Sequence, residues 1–314
     1  MSHVSPVHHP VLLQETLEYL NPQPGDQVVD GTLGLGGHAL EILKRIAPPR
    51  SKVKGHYYGF DLDLDNLAIA QQRLSDFSSS FSQATFFHSN FAHCHHRLQS
   101  VGVDHVERIL LDLGLSSPHV DQPERGFSYL TEGPLDMRFD RSSDRSQTAA
   151  DVLNHTSESE LRRILYEYGE ERYAPKIASM VVKRRKLQPF VTTTHVMELL
   201  GELMKSPGDR RRMASRVFQA LRIAVNDELQ TLEQSLPLLL AQLSPGGRMV
   251  VITFHSLEDR IVKRAFKAAA MAGQTVATDD FHLLTKKPIE PSPEELISNP
   301  RSRSAKLRAI EREK

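Results

Sequence analysis

The chain has one cysteine, Cys94, in 314 residues. That excludes an internal disulfide framework and fits a reducing compartment, so a cytoplasmic location is expected. No run approaches the ~20 apolar residues of a membrane-spanning helix, and the N-terminus lacks a signal-peptide core; no membrane partner is expected. Net charge is missing too, because 39 Lys and Arg balance 39 Asp and Glu. Such a chain is no general electrostatic binder of nucleic acid, and any RNA must be held by local basic patches and a shaped pocket. The length admits one large α/β domain, or a core domain carrying an insertion.

What is present gathers first at residues 26–38, Asp-Gln-Val-Val-Asp-Gly-Thr-Leu-Gly-Leu-Gly-Gly-His. Apolar Val28-Val29 stops at Asp30, the glycines Gly31, Gly34, Gly36 and Gly37 follow, and helical spacing begins near Ala39 (Leu40, Ile42, Leu43, Ile46). Strand, glycine turn and helix are the first crossover of an open α/β sheet. Glycines there let the backbone turn sharply and come close to a ligand. The spacing Gly34-x-Gly36-x-x-Ala39 fits a dinucleotide fingerprint, and a purely structural turn would read the same way. Asp30 argues against a pyrophosphate beside it. It suits a cofactor with a cationic end, such as the ammonium and sulfonium of S-adenosylmethionine (SAM).

Later segments repeat the theme. His56 to Phe60 reads as a strand ending at Asp61, where an acid can accept both ribose hydroxyls of an adenosine. Thr85 to His88 is a third strand; Phe91, in the loop after it, walls an adenine or fills the core. Val106 to Leu111 is a fourth, ending at Asp112. The expectation is three carboxylates, Asp30, Asp61 and Asp112, aimed at one crevice along the sheet's carboxyl edge. A dinucleotide oxidoreductase has no evident use for the third. His93, Cys94, His95 and His96 lack a second ligand pair at zinc-finger spacing, so they read as a solvated helix face and no metal is expected. The pair His8-His9 reads as capping or solvated.

Residues 113–138 show little periodicity but carry aromatic and apolar side chains, which points to an ordered active-site loop. From Asp151 to about Arg216 the pattern is helical, with a capping box at Ser157-x-x-Glu160. Basic clusters Lys183 to Lys186 and Arg210 to Arg212 are a solvated face or phosphate contacts. A long helix through Phe218 to Leu236 carries a candidate break at Asn226-Asp227. After a turn at 244–247, a strand returns at Arg248 to Phe254 and ends at His255-Ser256-Leu257-Glu258-Asp259-Arg260; final strands fall near 281–285 and 304–310. The sheet resumes after the helical block, so that block is an insertion: core 1–140, helical domain 141–215, core 216–314.

These stretches together resemble the ribosomal RNA small-subunit methyltransferase H family (RsmH, also called MraW), and in their core other class I SAM-dependent enzymes. The motifs that carry the resemblance include His9-Pro10-Val11-Leu12-Leu13, Gly36-Gly37-His38, Asp112-Leu113-Gly114-x-Ser116-Ser117-Pro118, Gly133-Pro134-Leu135-Asp136-Met137-Arg138, Tyr168-Gly169-Glu170-Glu171-Arg172, Phe254-His255-Ser256-Leu257-Glu258-Asp259-Arg260 and Asn299-Pro300-Arg301-Ser302-Arg303-Ser304. The resemblance implies a Rossmann-like, mostly parallel sheet with an inserted helical substrate-recognition domain. It implies SAM-dependent N4-methylation of a cytidine in the decoding region of 16S rRNA, with the small ribosomal subunit as partner. Cofactor contacts would be Gly36, Gly37, His38, Asp61, Phe91 and Asp112, plus His119 where the family has Gln. Asp112, Ser116, Ser117 and His255 would surround the reacting amino group. A non-catalytic RNA-binding or assembly factor on the same fold is the alternative, and a homodimer is left open.

Overall fold

The computed structural model describes residues 10–48, 50–77, 83–142, 147–272 and 281–314. His8, His9 and the serine run 78–80 lie outside the described residues. The chain divides into two compact units, one running to Gly114 and resuming at Leu229, the other spanning Leu115–Glu228.

In the first unit the described residues form a seven-stranded sheet of β1 (Gln27–Asp30), β2 (His56–Asp61), β3 (Ala84–His88), β4 (Val106–Asp112), β5 (Leu243–Thr253), β6 (Phe281–Leu283) and β7 (Lys306–Arg312). The order across the sheet is β3-β2-β1-β4-β5-β7-β6. Pairs from β3 to β5 are parallel, while β7 runs antiparallel to both β5 and β6. The mostly parallel α/β sheet read from the sequence is therefore what forms. Helices α1 (Leu13–Leu20), α2 (Gly37–Ile46) and α3 (Leu64–Phe77) bury Leu20, Ile42 and Leu74 with Val28, Leu110 and Val250. Helices α4 (Cys94–Gln99), α11 (Glu228–Ala241) and α12 (Ser256–Ala272) bury Leu98, Leu236 and Phe266 with Val29, Ile109, Leu111 and Val251. Alternate strand residues thus enter opposite layers, which is why these strands read as continuous apolar runs.

Two strand expectations are corrected. The segment 244–247 is not a turn before β5 but an irregular first part of it. Leu243 pairs with Val106, the register slips between Val106 and Arg108, and Gly246 takes φ +78°; a bulge absorbs what the glycines suggested was a turn. β7 starts at Lys306 rather than 304 because a 3₁₀ turn holds Pro300–Ser304.

The second unit contains α5 (Ser117–Asp121), α6 (Ala149–His155), α7 (Glu158–Glu167), α8 (Ala174–Arg185), α9 (Thr193–Leu203) and α10 (Pro207–Asn226). Its core joins Leu161, Ile177, Leu199 and Val217 to Phe127, Leu135 and Met137. It is thus wider than the expected 141–215. Asn226, the last residue of α10, explains why: its Oδ1 accepts from the Phe139 N–H at 2.8 Å and its Nδ2 donates to the Met137 carbonyl at 2.8 Å. The 113–138 stretch, expected to be an ordered active-site loop, supplies Phe127, Leu135 and Met137 to the core of this unit, which accounts for its order. The break at Asn226-Asp227 is also found, with Asp227 left-handed at φ +49°. At α7 only half the capping box forms: Ser157 Oγ accepts from the Glu160 N–H at 3.2 Å, but the Glu160 carboxylate turns to Arg163 at 2.6 Å. Among the described residues, no helix is long and apolar enough to cross a membrane.

Candidate active site at the carboxyl edge of the sheet

The loop between β1 and α2 is held by its neighbour strand. Leu33 N–H donates to the Phe60 carbonyl at 2.8 Å, and Gly34 N–H donates to Asp61 Oδ2 at 2.8 Å. Asp61 Oδ1 accepts from the Asp63 N–H at 2.8 Å. Gly36 caps α2 at φ +74°, a conformation side chains disfavour. At Gly31 the reason is space: a Cβ would stand 2.4 Å from Leu111 Cδ2 and 2.8 Å from Phe91 Cβ. Burial pushes the Asp61 carboxyl up to about 7, with the two amide hydrogen bonds pulling the other way.

The three strand-end acids are not level. Asp30 pairs with Gly59 and with Leu110, two residues short of Asp61 and Asp112 on either side. At ~3.3 Å per residue it lies ~7 Å deeper. It is buried and occupied: Tyr57 Oη donates to Oδ2 at 2.5 Å and Thr32 N–H to Oδ1 at 3.0 Å. The expectation of three acids around one crevice is corrected to two, Asp61 and Asp112, with Asp30 bracing the strand beneath. A carboxylate one pleat period lower is covered by the turn that follows it, which the spacing of strand ends cannot show.

Asp112 is the exceptional group. Its N–H donates to Thr32 Oγ1 at 2.5 Å, and its Oδ2 lies 3.5 Å from His38 Nδ1. Its Oδ1 is buried and, among the described residues, has no hydrogen-bond partner. Burial holds this carboxyl well above the usual range, and the charges of Asp30 and Glu258 push the same way. His38, also buried, donates from Nε2 to the Val11 carbonyl at 3.1 Å. A carbonyl can only accept, so Nε2 carries a proton. A bare Nδ1 lone pair and a carboxylate would then repel, and the burial that raises Asp112 favours a proton in the 3.5 Å gap between them.

His255, just past β5, is fixed by its own helix. Glu258 N–H donates to His255 Nδ1 at 3.4 Å, His255 N–H donates to Glu258 Oε2 at 3.3 Å, and Nε2 sits 3.1 Å from Glu258 Oε1. This is a capping box with histidine as cap. Phe91 is half-buried, its ring joining the core under β4, after Asn90 caps its 3₁₀ turn. Gly37 abuts Pro10, where a Cβ would come to 2.7 Å of Cγ. Of the histidine cluster, Cys94 is buried while His93, His95 and His96 are exposed. Among the described residues, no group of three or more His, Cys, Asp or Glu could hold a metal.

Ser116, Ser117 and His119 belong to the second unit. Ser116 N–H donates to His119 Nδ1 at 3.2 Å across the first turn of α5. The His119 ring is buried and packs on Phe127 and Phe139, with centroids 5.0 and 5.2 Å away. Sequence reasoning placed the segment from His255 to Asp259 at the site without giving Glu258 a part of its own, and it assigned none to Thr32 or Tyr57. Thr32 and Glu258 sit within three residues of Asp30 and His255, so their spacing could have flagged them; Tyr57 is found only through strand pairing.

A parallel sheet closed by an antiparallel β7, with a glycine loop after β1 and acids after β2 and β4, defines a class I SAM-dependent methyltransferase core. The chain belongs to the MraW methylase family, whose model matches residues 5–313. Proteins named ribosomal RNA small subunit methyltransferase H are similar throughout. That of Geobacter sp. (strain M21) is 47% identical, over 97% of this chain and 98% of that one. That of Dictyoglomus thermophilum is 44% identical, over 99% of each. Among solved structures, an rRNA methylase from Streptococcus thermophilus overlays with a TM-score of 0.43 at 11% identity, over 99% of this chain and 100% of that one.

Proposed function

We propose that this protein transfers a methyl group from SAM to the N4 amine of one cytidine in the decoding region of 16S rRNA. Family membership supports small-subunit rRNA methylation; the base and position rest on the motif resemblance.

The observation that carries the reading is the buried, unpartnered Asp112 Oδ1 beside the Asp61-clasped glycine loop. A buried acceptor without a donor is costly unless a ligand supplies one. The buried acceptor on Asp112 and the glycine turn capped at Gly36 fit SAM, which would be held by Gly36, Gly37, His38, Asp61, Phe91 and Asp112. When bound, SAM supplies an electrophilic methyl on a cationic sulfur.

The protein's task is the nucleophile, because the cytosine amino lone pair is conjugated into its ring. Acceptors must hold the amino group in line; such alignment contributes up to ~7–11 kcal/mol. Asp112 serves here through Oδ1; His255, its ring nitrogens engaged by Glu258, keeps only the place beside the amino group that the resemblance gives it. Ser116 and Ser117 keep the role the resemblance gives them. His119 stands where the family has Gln, the position to which the resemblance gives a further cofactor contact. Lys183 to Lys186 and Arg210 to Arg212 are the two clusters that would position the RNA through phosphates.

The test is nucleoside mass spectrometry of small-subunit RNA from cells with and without this gene. Loss of N4-methylcytidine at one site supports the proposal; an unchanged profile ends it. Full transfer by an Asp112→Ala protein with SAM bound would remove that residue from the chemistry.

A further inference from the structure

We infer that Glu295, far along the chain from the glycine loop, is a positioning residue for the cofactor site: it acts through the Val11–Leu12 peptide group on His38, and through His38 on Asp112. The inference rests on the SAM-binding part of the proposed function.

The observations form one chain of contacts within the first unit. Helix α13 (Pro293–Ser298) is capped by Ser292, whose Oγ accepts from the Glu295 N–H at 3.2 Å. Glu295 Oε1 accepts from the Leu12 N–H at 2.8 Å. The carbonyl at the other end of that same peptide group, Val11 O, accepts from His38 Nε2 at 3.1 Å. His38 Nδ1 then faces Asp112 Oδ2 at 3.5 Å. One peptide plane is therefore gripped at both poles, by a carboxylate at its N–H and an imidazole at its C=O.

The conformation of Leu12 shows that this grip is imposed. Leu12 is the cap of α1 at φ +52° and ψ +39°, with no side-chain cap hydrogen bond. Helix caps normally take extended backbone and a polar side chain. A buried leucine in the left-handed region is strained, and such outliers persist where surrounding contacts over-determine them. The two contacts that over-determine this one are Glu295 and His38.

The electrostatic consequence follows from polarisation. A negative charge on the peptide N–H makes its carbonyl a stronger acceptor, which pulls on His38 Nε2–H and makes Nδ1 more basic. The proton shared with Asp112 is then drawn toward His38, and Asp112 keeps the acceptor character that its free Oδ1 offers a ligand. Glu295 thus does from a distance what a carboxylate hydrogen-bonded directly to a histidine does.

The experiment compares wild type, Glu295→Ala and Glu295→Gln, all full length, by calorimetric SAM titration and by ¹⁵N imidazole NMR of the protein without ligand. Glu295→Ala should raise the SAM Kd about tenfold, the loss of a charge-assisted hydrogen bond, and should move the His38 signals from a fixed Nε2–H tautomer to an exchanging mixture. Glu295→Gln keeps an oxygen for Leu12 N–H but loses the charge; it should retain the tautomer and recover only part of the affinity. An Ala variant with wild-type Kd and unchanged His38 signals overturns the inference. So does a Gln variant as impaired as Ala, which would mark α13 as merely structural. If wild type itself takes no SAM, it is the proposed function that fails, and the His38 signals still decide whether Glu295 sets the tautomer.

Discussion

Asp30 stands opposite Leu110 on β4, two residues below Asp112, so the deeper acid sits under the shallower one. Their burial differs in consequence. Asp30 has two donors, Tyr57 and Thr32, and burial still raises it to about 6 from an ordinary 3.8. A carboxyl with a folded pKa above its unfolded one keeps its proton longer when folded. Its contribution is therefore greatest below pH ~4, falls as pH rises to about 6, and is flat above. Two units are worth up to about 3 kcal/mol. Replacing Asp30 by Asn removes that fall. Urea unfolding between pH 4 and 7 should show the variant gaining up to about 3 kcal/mol on wild type. Parallel pH curves for the two proteins would remove the assignment.

Asp61 is expected to matter to the loop more than to the core. Its two oxygens accept from Gly34 and Asp63 amides. Asp61→Ala frees the Gly34 N–H, which should exchange with solvent faster, and should weaken SAM binding at least ~tenfold, as loss of a charge-assisted hydrogen bond does. Hydrogen exchange at Gly34 without cofactor, and calorimetry with it, report the two effects separately. A loop amide as protected as in wild type would mean that the clasp is not what holds the loop.

How far the sequence reached follows the same division between local pattern and pairing. The strands β1, β2 and β4 and the acids at their ends were legible because a buried parallel strand reads as an apolar run with an abrupt polar stop. The relative depth of Asp30 was not, because depth is set by register against β2 and β4 and by no signal within 26–38. The helical block was legible from its spacing, but its edges were not. Phe127, Leu135 and Met137 join its core from an aperiodic loop, and that joining depends on Asn226 some ninety residues away. His38 could be placed at the site by its motif. Its coupling to Leu12 and Glu295 could not, since no periodicity links residues 283 apart.

Gly31 should tolerate no side chain. A Cβ there meets Leu111 and Phe91 at less than 3.0 Å. Overpacking of this kind costs ~1–3 kcal/mol. Gly102 is a useful contrast, at φ +77° but with nothing within 4 Å of a Cβ; Gly102→Ala should cost about 1 kcal/mol from backbone strain alone. Denaturant midpoints should rank Gly31→Ala below Gly102→Ala, and Leu111→Val added to Gly31→Ala should recover part of the loss. Equal midpoints for the two single variants would show that β1 shifts freely to make room.

The buried ion pair of the helical unit gives an asymmetric prediction. Glu171 is fully buried; its Oε2 takes Arg216 Nη2 at 2.6 Å and Nε at 2.7 Å, and its Oε1 accepts from the Tyr173 N–H at 2.9 Å. Arg216 is a third exposed, at 34%. Removing Arg216 strands a carboxylate with no route to water, so Arg216→Ala should cost ~3–5 kcal/mol, as for a broken buried pair. Removing Glu171 strands a guanidinium that can hydrate, so Glu171→Ala should cost less, about 2–3 kcal/mol. Glu171→Gln, which keeps an oxygen for the Tyr173 amide, should cost less again. Chemical unfolding of the full chain, with limited proteolysis between Leu115 and Glu228 as a local readout, measures the order. An Arg216→Ala protein more stable than Glu171→Ala would show that the desolvated carboxylate is not the costly member of the pair.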